Sequence, residues 1–415
     1  MRAMTHDRLV LTNANVIDCV GERPLTGGSV VIERGRIAEV LDASRSADTR
    51  NADVIDLAGG YLLPGLWDVH IHPDYLAETG ANVVDQTIAF GQRLMEALIE
   101  GGIVAVRCAG AAHFLDVAWK RAFDSGRYVG PRVFAAGHFL TTTGGHFLTS
   151  GHALECDGPY GFVRAIRKQI KNGVDHIKLN LTGGIMGPSW DRHWQSFLLD
   201  EELEAAFEIC RTRSFRVMAH AANPEAVKKA VRLGAHSVEH GYIMDQECVE
   251  QLRASHTWYV PTLAISHLTP DQASDPWEKR WVEQRNLSVD LCERADHASG
   301  EHREWFRRAL AAGVKMALGS DIRPLKDAAL LELGLWVKDG ATPRQALLAA
   351  TRDAAELCGV GAELGTIQPG KLADLIVVDD DPLQDITHLR RLRFVFKEGR
   401  LVSDRRDRVI RRKDR

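Results

Sequence analysis

The chain has 415 residues, enough for a large hydrophobic core, and its length predicts one large domain with a smaller companion. Its 52 lysines and arginines nearly balance 56 aspartates and glutamates, so the net charge of −4 argues against a nucleic-acid or membrane surface. We therefore expect a small-molecule partner. The first residues contain no apolar run of signal-peptide length, and the seven cysteines form no C-x-x-C pair, which predicts a cytoplasmic protein with reduced thiols.

Short β-like runs separated by turns occupy both ends of the chain. They are residues 9–16, 29–33, 36–41, 373–378, 393–396 and 397–402. This arrangement predicts one small β-sandwich domain assembled from both termini. Its expected boundaries are residues 1–63 and 365–415.

Eight apolar or β-branched runs alternate with longer helical patterns between the terminal segments. The runs are the one that ends at His70 and residues 103–107, 132–136, 176–181, 216–220, 237–240, 258–263 and 315–318. Helical patterns include residues 200–213, 224–233 and 342–358. This alternation predicts an α/β fold, a (β/α)8 TIM barrel over residues 64–364. An open doubly wound sheet is the alternative, but no G-x-G-x-x-G motif follows an early strand.

Metal-binding side chains stand at the ends of several runs. His70 and His72 are spaced i, i+2, so in a strand both imidazoles point to one side and can bind one metal ion. His220 and His240 end the fifth and sixth runs, although core histidines also occupy such positions. Asp321 follows the eighth run, where capping of the next helix is the alternative role. In a barrel these strand ends meet at one face, where the chemistry takes place.

Lys178 lies inside the apolar fourth run, where an unpaired ammonium would cost several kcal/mol. One solution is that the side chain reaches solvent or pairs with an acid. The other is reaction with carbon dioxide, which would convert the amine into a carbamate. A carbamate is anionic and has two oxygens, so it could bridge two metal ions.

These motifs resemble the amidohydrolase superfamily, and within it the imidazolonepropionase-like and Xaa-Pro dipeptidase-like branch. The resemblance covers nearly the whole chain, because residues 64–72, Thr182-Gly183-Gly184, Gly319-Ser320-Asp321 and residues 364–375 all take part. It implies a metal-dependent hydrolase in which a metal-bridging hydroxide attacks an amide carbonyl. The family's two divalent ions are usually zinc.

The resemblance also implies roles for individual residues. His70 and His72 bind the α metal, His220 and His240 bind the β metal, and N6-carboxylated Lys178 bridges both ions. Asp321 completes the α site and moves the proton from the nucleophile to the leaving nitrogen.

Four residues are candidate substrate contacts. His146, which follows Gly144-Gly145, and Tyr242, two residues after His240, are similar to family residues that touch the substrate, and we assign both to the catalytic set. An exposed loop histidine and a rim tyrosine are the alternatives. Arg107 at the end of the second run and Arg323 after Asp321 could each pair with a substrate carboxylate or with a structural acid.

The predicted reaction releases a C-terminal amino acid from a dipeptide or an N-acyl amino acid. Hydrolysis of another acyl compound, such as an N-aryl amide, a carbamate, a lactone or a cyclic amide, is the alternative, because the same nucleophile attacks all of them. A noncatalytic barrel scaffold would be expected to lack some of the six ligands. We expect a homo-oligomer, and residues 266–308 are either a helical lid, an oligomer contact or a solvated helix pair anchored by tryptophans.

Overall fold

The computed structural model describes residues 7–73, 82–146 and 153–406, so the outermost parts of the predicted terminal domain lie outside the described residues. The strands are β1 Arg8–Val16, β2 Leu25–Glu33, β3 Arg36–Leu41, β4 Asp53–Asp56, β5 Tyr61–Pro64, β6 Leu66–Ile71, β7 Ile103–Cys108, β8 Arg132–Phe134, β9 Phe139–Thr141, β10 Ala153–Glu155, β11 His176–Asn180, β12 Arg216–Ala221, β13 Ser237–His240, β14 Trp258–Val260, β15 Leu375–Val378, β16 Leu392–Lys397 and β17 Arg400–Asp404.

Helices fill most of the intervals between the central strands. They are α1 Val83–Gly101, α2 Leu115–Asp124, α3 Gly158–Asn172, α4 Asp200–Thr212, α5 Pro224–Leu233, α6 Gln246–Ala254, α7 Leu263–Ser266, α8 Pro276–Arg285, α9 Val289–Ala311, α10 Leu325–Lys338, α11 Pro343–Ala349 and α12 Arg352–Leu357. None of the helices in the described ranges has the length and apolar character that crossing a bilayer requires.

Strands from both ends of the chain share one hydrogen-bonded sheet. Its order is β17-β16-β15-β5-β1-β2-β3, with β4 also paired to β1. Alternate side chains of β1 point to opposite faces: Leu9 and Leu11 join a core with Phe396, whereas Val10 packs with Val31 on the other side. The eight described strands from the two ends of the chain thus form a single sheet, and the two-layer sandwich stays a prediction.

The central strands form two parallel sheets, β6-β7-β8 and β10-β9-β11-β12-β13-β14. Parallel strands that alternate with helices give the TIM-barrel-like α/β architecture. Backbone bonds also link the sheet ends, because the Asp175 amide donates to the Ala135 carbonyl at 2.7 Å and the Val69 amide to the Leu318 carbonyl at 2.9 Å. The eighth predicted run forms only an isolated bridge, from Met316 to Tyr259.

One predicted helix is interrupted. Residues 342–358 form two helices, α11 and α12, because the backbone is not helical at Thr351, where ψ is −90°. The amide of Trp67 donates to the Ala350 carbonyl at 2.8 Å, so this carbonyl bonds to β6 rather than to the next helical turn. The prediction of one continuous helix was wrong, whereas the predictions for α4 and α5 match the structure within one residue.

Residues 266–308 form the end of α7, then α8 and most of α9. Trp281 is buried, and its indole nitrogen donates to the Arg323 carbonyl at 2.8 Å. Trp277 lies under the guanidinium of Arg390, 4.2 Å from the ring centre. These contacts agree with helices anchored by tryptophans.

Candidate active site

The six predicted metal ligands line one cavity. They are His70, His72, Lys178, His220, His240 and Asp321. The cavity lies at the carboxyl ends of β6, β11, β12 and β13. Its lining includes Asn180 and His240, the last residues of β11 and β13, His220 next to the end of β12, and His72 directly after β6. This is the end of parallel strands at which TIM-barrel enzymes place their chemistry.

In each of the four histidines, one ring nitrogen hydrogen-bonds to another group of the protein. The partners are the Glu239 carboxylate for His70, the Gly110 carbonyl for His72, the Gly183 carbonyl for His220 and the Thr262 hydroxyl for His240, at 2.7, 3.2, 2.8 and 2.7 Å. The engaged atom is Nδ1 in three of them and Nε2 in His220. Such outer bonds fix the orientation of a histidine ring that binds a metal ion through its other nitrogen.

Two buried atoms at the cavity wall fit a metal ion. Among the described residues, His70 Nε2 and Asp321 Oδ1 have no hydrogen-bond partner. They lie 3.7 Å apart, and His72 Nε2 lies 3.6 Å from the same oxygen. His70, His240 and Asp321 offer ligand atoms that all lie within 4.8 Å of one another. Nitrogen and oxygen donors that share a zinc ion, with bonds of about 2.0–2.2 Å, have separations of this size.

Lys178 and Asp321 are both buried at this cavity. Burial lowers the pKa of the Lys178 amine, while the nearby charges of Glu239 and Asp321 oppose this shift. Burial likewise raises the pKa of the Asp321 carboxyl, and the Lys178 charge opposes it. Within the described ranges the Lys178 amine makes no hydrogen bond and no ion pair.

Arg107 lies outside the lining of the cavity. Its side chain is buried; Nε donates to the Val69 carbonyl at 2.7 Å, Nη1 to the Ser237 hydroxyl at 2.8 Å, and Nη2 to Glu239 at 2.9 Å. The prediction that Arg107 contacts the substrate was therefore wrong, because its side-chain donors hydrogen-bond to buried groups of the protein. The structure agrees with the alternative, a guanidinium that holds a structural acid.

Glu239 is one residue of the site that the sequence analysis missed. Its carboxylate is completely buried and contacts His70, Arg107 and Ser237. A glutamate inside an apolar strand run needs a partner for its charge, as does Lys178, so this signal was present in the sequence.

His146 and Tyr242 both line the cavity. The His146 ring stacks on His220 with centres 4.4 Å apart, and its Nδ1 lies 2.8 Å from the buried carboxylate of Asp191. The Tyr242 ring stacks on His240 at 5.2 Å. Asp191 was not predicted, because nothing in the sequence connects it to a histidine 45 residues earlier.

Arg323 lies in the wall of a second recess, which shares His72 with the cavity. It does not belong to the lining of the main cavity among the described residues. Its predicted role as a substrate contact therefore requires a substrate that extends past His72.

The backbone is strained at three points around the site. His240, Thr262 and Asp321 have φ angles of 71°, 51° and 55°, in the left-handed region that residues other than glycine rarely adopt. Such conformations cost about 1–3 kcal/mol each and persist where surrounding contacts enforce them, often at functional sites.

The sequence matches the family model described as "Amidohydrolase family" over residues 61–402. The chain belongs to the amidohydrolase family. Ochratoxinase from Aspergillus niger is 28% identical over 378 residues, which cover 82% of this chain and 73% of that protein. Imidazolonepropionase from Thermoplasma acidophilum is 25% identical over 437 residues, covering 99% of this chain and 98% of that protein.

Solved structures resemble the whole chain as well. The crystal structure of a Xaa-Pro dipeptidase with bound methionine in the active site has a TM-score of 0.82 at 27% identity, covering 95% of this chain and 99% of that chain. These findings confirm the predicted family. The protein is an enzyme, a metal-dependent hydrolase of C–N bonds.

Proposed function

We propose that this amidohydrolase cleaves the amide bond of a dipeptide or an N-acyl amino acid and releases a C-terminal amino acid. The observation that carries the proposal is the convergence of four histidines, Lys178 and Asp321 on one cavity that also exposes His146 and Tyr242. We further propose that the parallel strands close into an eight-stranded barrel over residues 64–364. The backbone bonds from Val69 to Leu318 and from Asp175 to Ala135 support this closure.

In this proposal two zinc ions are held by the six ligands. His70, His72 and Asp321 would hold one ion, His220 and His240 would hold the other, and Lys178, as its N6-carboxylate, would contribute to both sites. This assignment is supported by the unpartnered atoms His70 Nε2 and Asp321 Oδ1 and by the buried Lys178 amine. When bound, divalent ions of this kind lower the pKa of a water molecule and polarise a carbonyl oxygen.

The chain's own residues carry the proton and orient the substrate. Asp321 accepts the proton of the attacking water and delivers it to the leaving nitrogen, which therefore departs as a neutral amine. His146, held by Asp191, and Tyr242, held against His240, bind the polar end of the substrate. This binding brings the scissile bond to Asp321 in one orientation.

The acyl part of the substrate faces an apolar wall. Its side chains are Phe139, Ile185, Met186 and Ile265. Apolar pockets select by size and hydrophobicity, so we expect a substrate with a bulky apolar acyl group. The cavity lining contains no arginine among the described residues. This absence and the apolar wall favour a second candidate substrate, an N-aryl amide or a carbamate without a carboxylate.

Matched substrate pairs distinguish the two candidates. The purified, zinc-loaded enzyme is given an N-acyl amino acid and the corresponding compound in which the carboxylate is a carboxamide, alongside an N-aryl amide and a carbamate. We expect kcat/KM to be about tenfold or more higher with the carboxylate, because a charge-assisted hydrogen bond contributes about 1.5–3 kcal/mol.

Chelator-treated enzyme is the control, and it should lose the activity and regain it with added zinc. Turnover of only the carboxylate-free compounds would replace the first candidate by the second.

A further inference from the structure

Arg294 of α9 reaches the loop between β11 and α4, residues 183–199, which we call the substrate loop. Its Nη1 donates to the Gly187 carbonyl at 2.8 Å and lies 3.4 Å from the carbonyls of Ile185 and Pro188. The side chain is mostly buried, and Nη2 pairs with Asp290 one turn earlier on the helix. One guanidinium thus contacts three backbone carbonyls of a single bend.

The substrate loop contains no helix or strand, although it forms part of the cavity wall. Ile185 and Met186 line the cavity, directly beside the carbonyls that Arg294 contacts. An antiparallel bridge between Thr182 and Ser196 joins the two ends of the loop. The bend at residues 185–188 lies beyond this bridge and belongs to no strand, so it keeps its shape through side-chain contacts of this kind.

Asp191 holds the other side of the same bend. Its carboxylate accepts the Gly184 amide at 2.8 Å and lies 2.8 Å from His146 Nδ1. Asp191 therefore fixes the loop to a residue of the site, whereas Arg294 fixes it to an outer helix. The apolar side chains lie between these two attachments.

We propose that Arg294 is a positioning residue that holds Ile185 and Met186 in the cavity wall and thereby sets the preference for bulky apolar acyl groups. The inference rests on the proposed amide hydrolysis. Without the guanidinium the bend loses its donors, and the wall no longer packs tightly on a large acyl group. An acetyl group is too small to depend on this wall, so its binding should change little.

The test compares Arg294→Ala, Arg294→Lys and the matched control Arg308→Ala. Arg308 lies on the same helix, but it contacts Glu304 and Trp305 instead of the loop. Each zinc-loaded enzyme is assayed with a large apolar N-acyl substrate and with its N-acetyl counterpart.

For Arg294→Ala we expect KM for the large substrate to rise about tenfold, with kcat and the N-acetyl KM changing less than about twofold. Lysine supplies one flexible ammonium instead of a planar fork, so Arg294→Lys should restore part of the selectivity. Arg308→Ala should match the unsubstituted enzyme. An unchanged ratio of the two KM values in Arg294→Ala, or an equal change in Arg308→Ala, would overturn the proposal.

A second measurement is independent of turnover. Arg192 lies in the substrate loop, so we expect trypsin to cleave after it several-fold faster in Arg294→Ala than in Arg308→Ala. If the unsubstituted enzyme hydrolyses neither substrate, the proposed function fails, and the cleavage rates alone decide the role of Arg294. Equal cleavage rates would then overturn it.

Discussion

Glu239 connects His70, a proposed metal ligand, to the interior of the protein. Its carboxylate is fully buried, 2.7 Å from His70 Nδ1 and 2.9 Å from Arg107 Nη2. A carboxylate at Nδ1 keeps the proton on that nitrogen, so Nε2 presents a lone pair to the cavity. Arg107 in turn balances the charge, which would otherwise be too costly to bury.

Glu239→Gln should weaken metal binding about 10–100-fold, because the neutral amide orients His70 less strongly. The unfolding free energy should also fall by about 3–5 kcal/mol, since Arg107 remains buried without its counter-charge. Metal content after dialysis against graded chelator, and urea unfolding, measure the two effects. Glu247→Gln, at an exposed glutamate paired with Lys228, is the control. A variant that retains zinc like the unsubstituted enzyme would exclude this role for Glu239.

Lys178→Ala tests the bridging carbamate. The variant should lose at least one of the two metal ions and nearly all activity, because alanine supplies no oxygen ligand. Short carboxylic acids such as acetate should restore part of both, since they place a carboxylate in the vacated space. Metal analysis and kcat with and without acetate are the measurements, and Lys229→Ala, at a lysine paired with Asp200, is the control. Full metal content without acetate would contradict the bridge.

The sequence indicated the six residues that line the cavity, because each stands inside, at the end of or just after an apolar run; their role as metal ligands stays a prediction. Glu239 has the same signature as Lys178, and the same argument from burial applies to it. Its partner could not be predicted, since His70 lies 169 residues away and only the folded chain brings the two together. On the sequence alone, Arg107 could pair with a substrate carboxylate or with a structural acid, and in the structure it pairs with the buried Glu239.

At the scale of elements, α10 holds the short helix α7 against the site. The buried Glu332 of α10 accepts the amides of Leu263 and Ala264 at 2.8 and 2.7 Å and the indole of Trp336 at 2.9 Å. Burial raises the pKa of Glu332. The residue before α7 is Thr262, which hydrogen-bonds to His240, so this cap indirectly supports a proposed metal ligand.

Glu332→Gln should lower the unfolding free energy by about 1–3 kcal/mol. Glutamine has one acceptor oxygen, so its amide group would face a backbone N–H and leave that donor unsatisfied. Urea unfolding checks the value, with Glu304→Gln at an exposed glutamate of α9 as the control. Equal stability of the two variants would mean that Glu332 does not cap α7.

Elements were predicted well where local pattern decides them. Helices α4 and α5 and the strands before the ligands follow from periodicity, because the apolar positions repeat at the spacing of each structure. The break between α11 and α12 depends on Trp67, which is distant in sequence and whose amide donates a hydrogen bond to the carbonyl of Ala350. A partner of this kind is invisible to a periodicity argument.

For the whole molecule, alternation of strands and helices predicted the TIM-barrel-like architecture, because βαβ units have few ways to pack. The number of layers in the terminal sheet depends on which faces meet after folding, so the sequence could not decide it. Homo-oligomer formation stays a prediction.

The stability of the whole enzyme should decrease in mild acid. His176, His193 and His236 are not among the proposed ligands, and burial lowers their pKa values to about 3, 4 and 4. In the unfolded chain a histidine has a pKa of about 6.5, so below that pH the unfolded state binds protons that the folded state excludes. The stability that these neutral imidazoles contribute is present above about pH 6.5 and is lost as pH falls towards their folded pKa values.

Each such histidine should steepen the loss of unfolding free energy by about 1.4 kcal/mol per pH unit below about pH 6. His236→Gln removes one of them and keeps a donor for the Leu357 carbonyl, which His236 Nε2 contacts at 2.8 Å. Urea unfolding of zinc-loaded enzyme between about pH 7.5 and 5 should therefore give a shallower slope for this variant, by about that amount. His256→Gln, at an exposed histidine, is the control and should keep the original slope. Identical slopes for all three proteins would show that His236 is protonated equally in the folded and unfolded states.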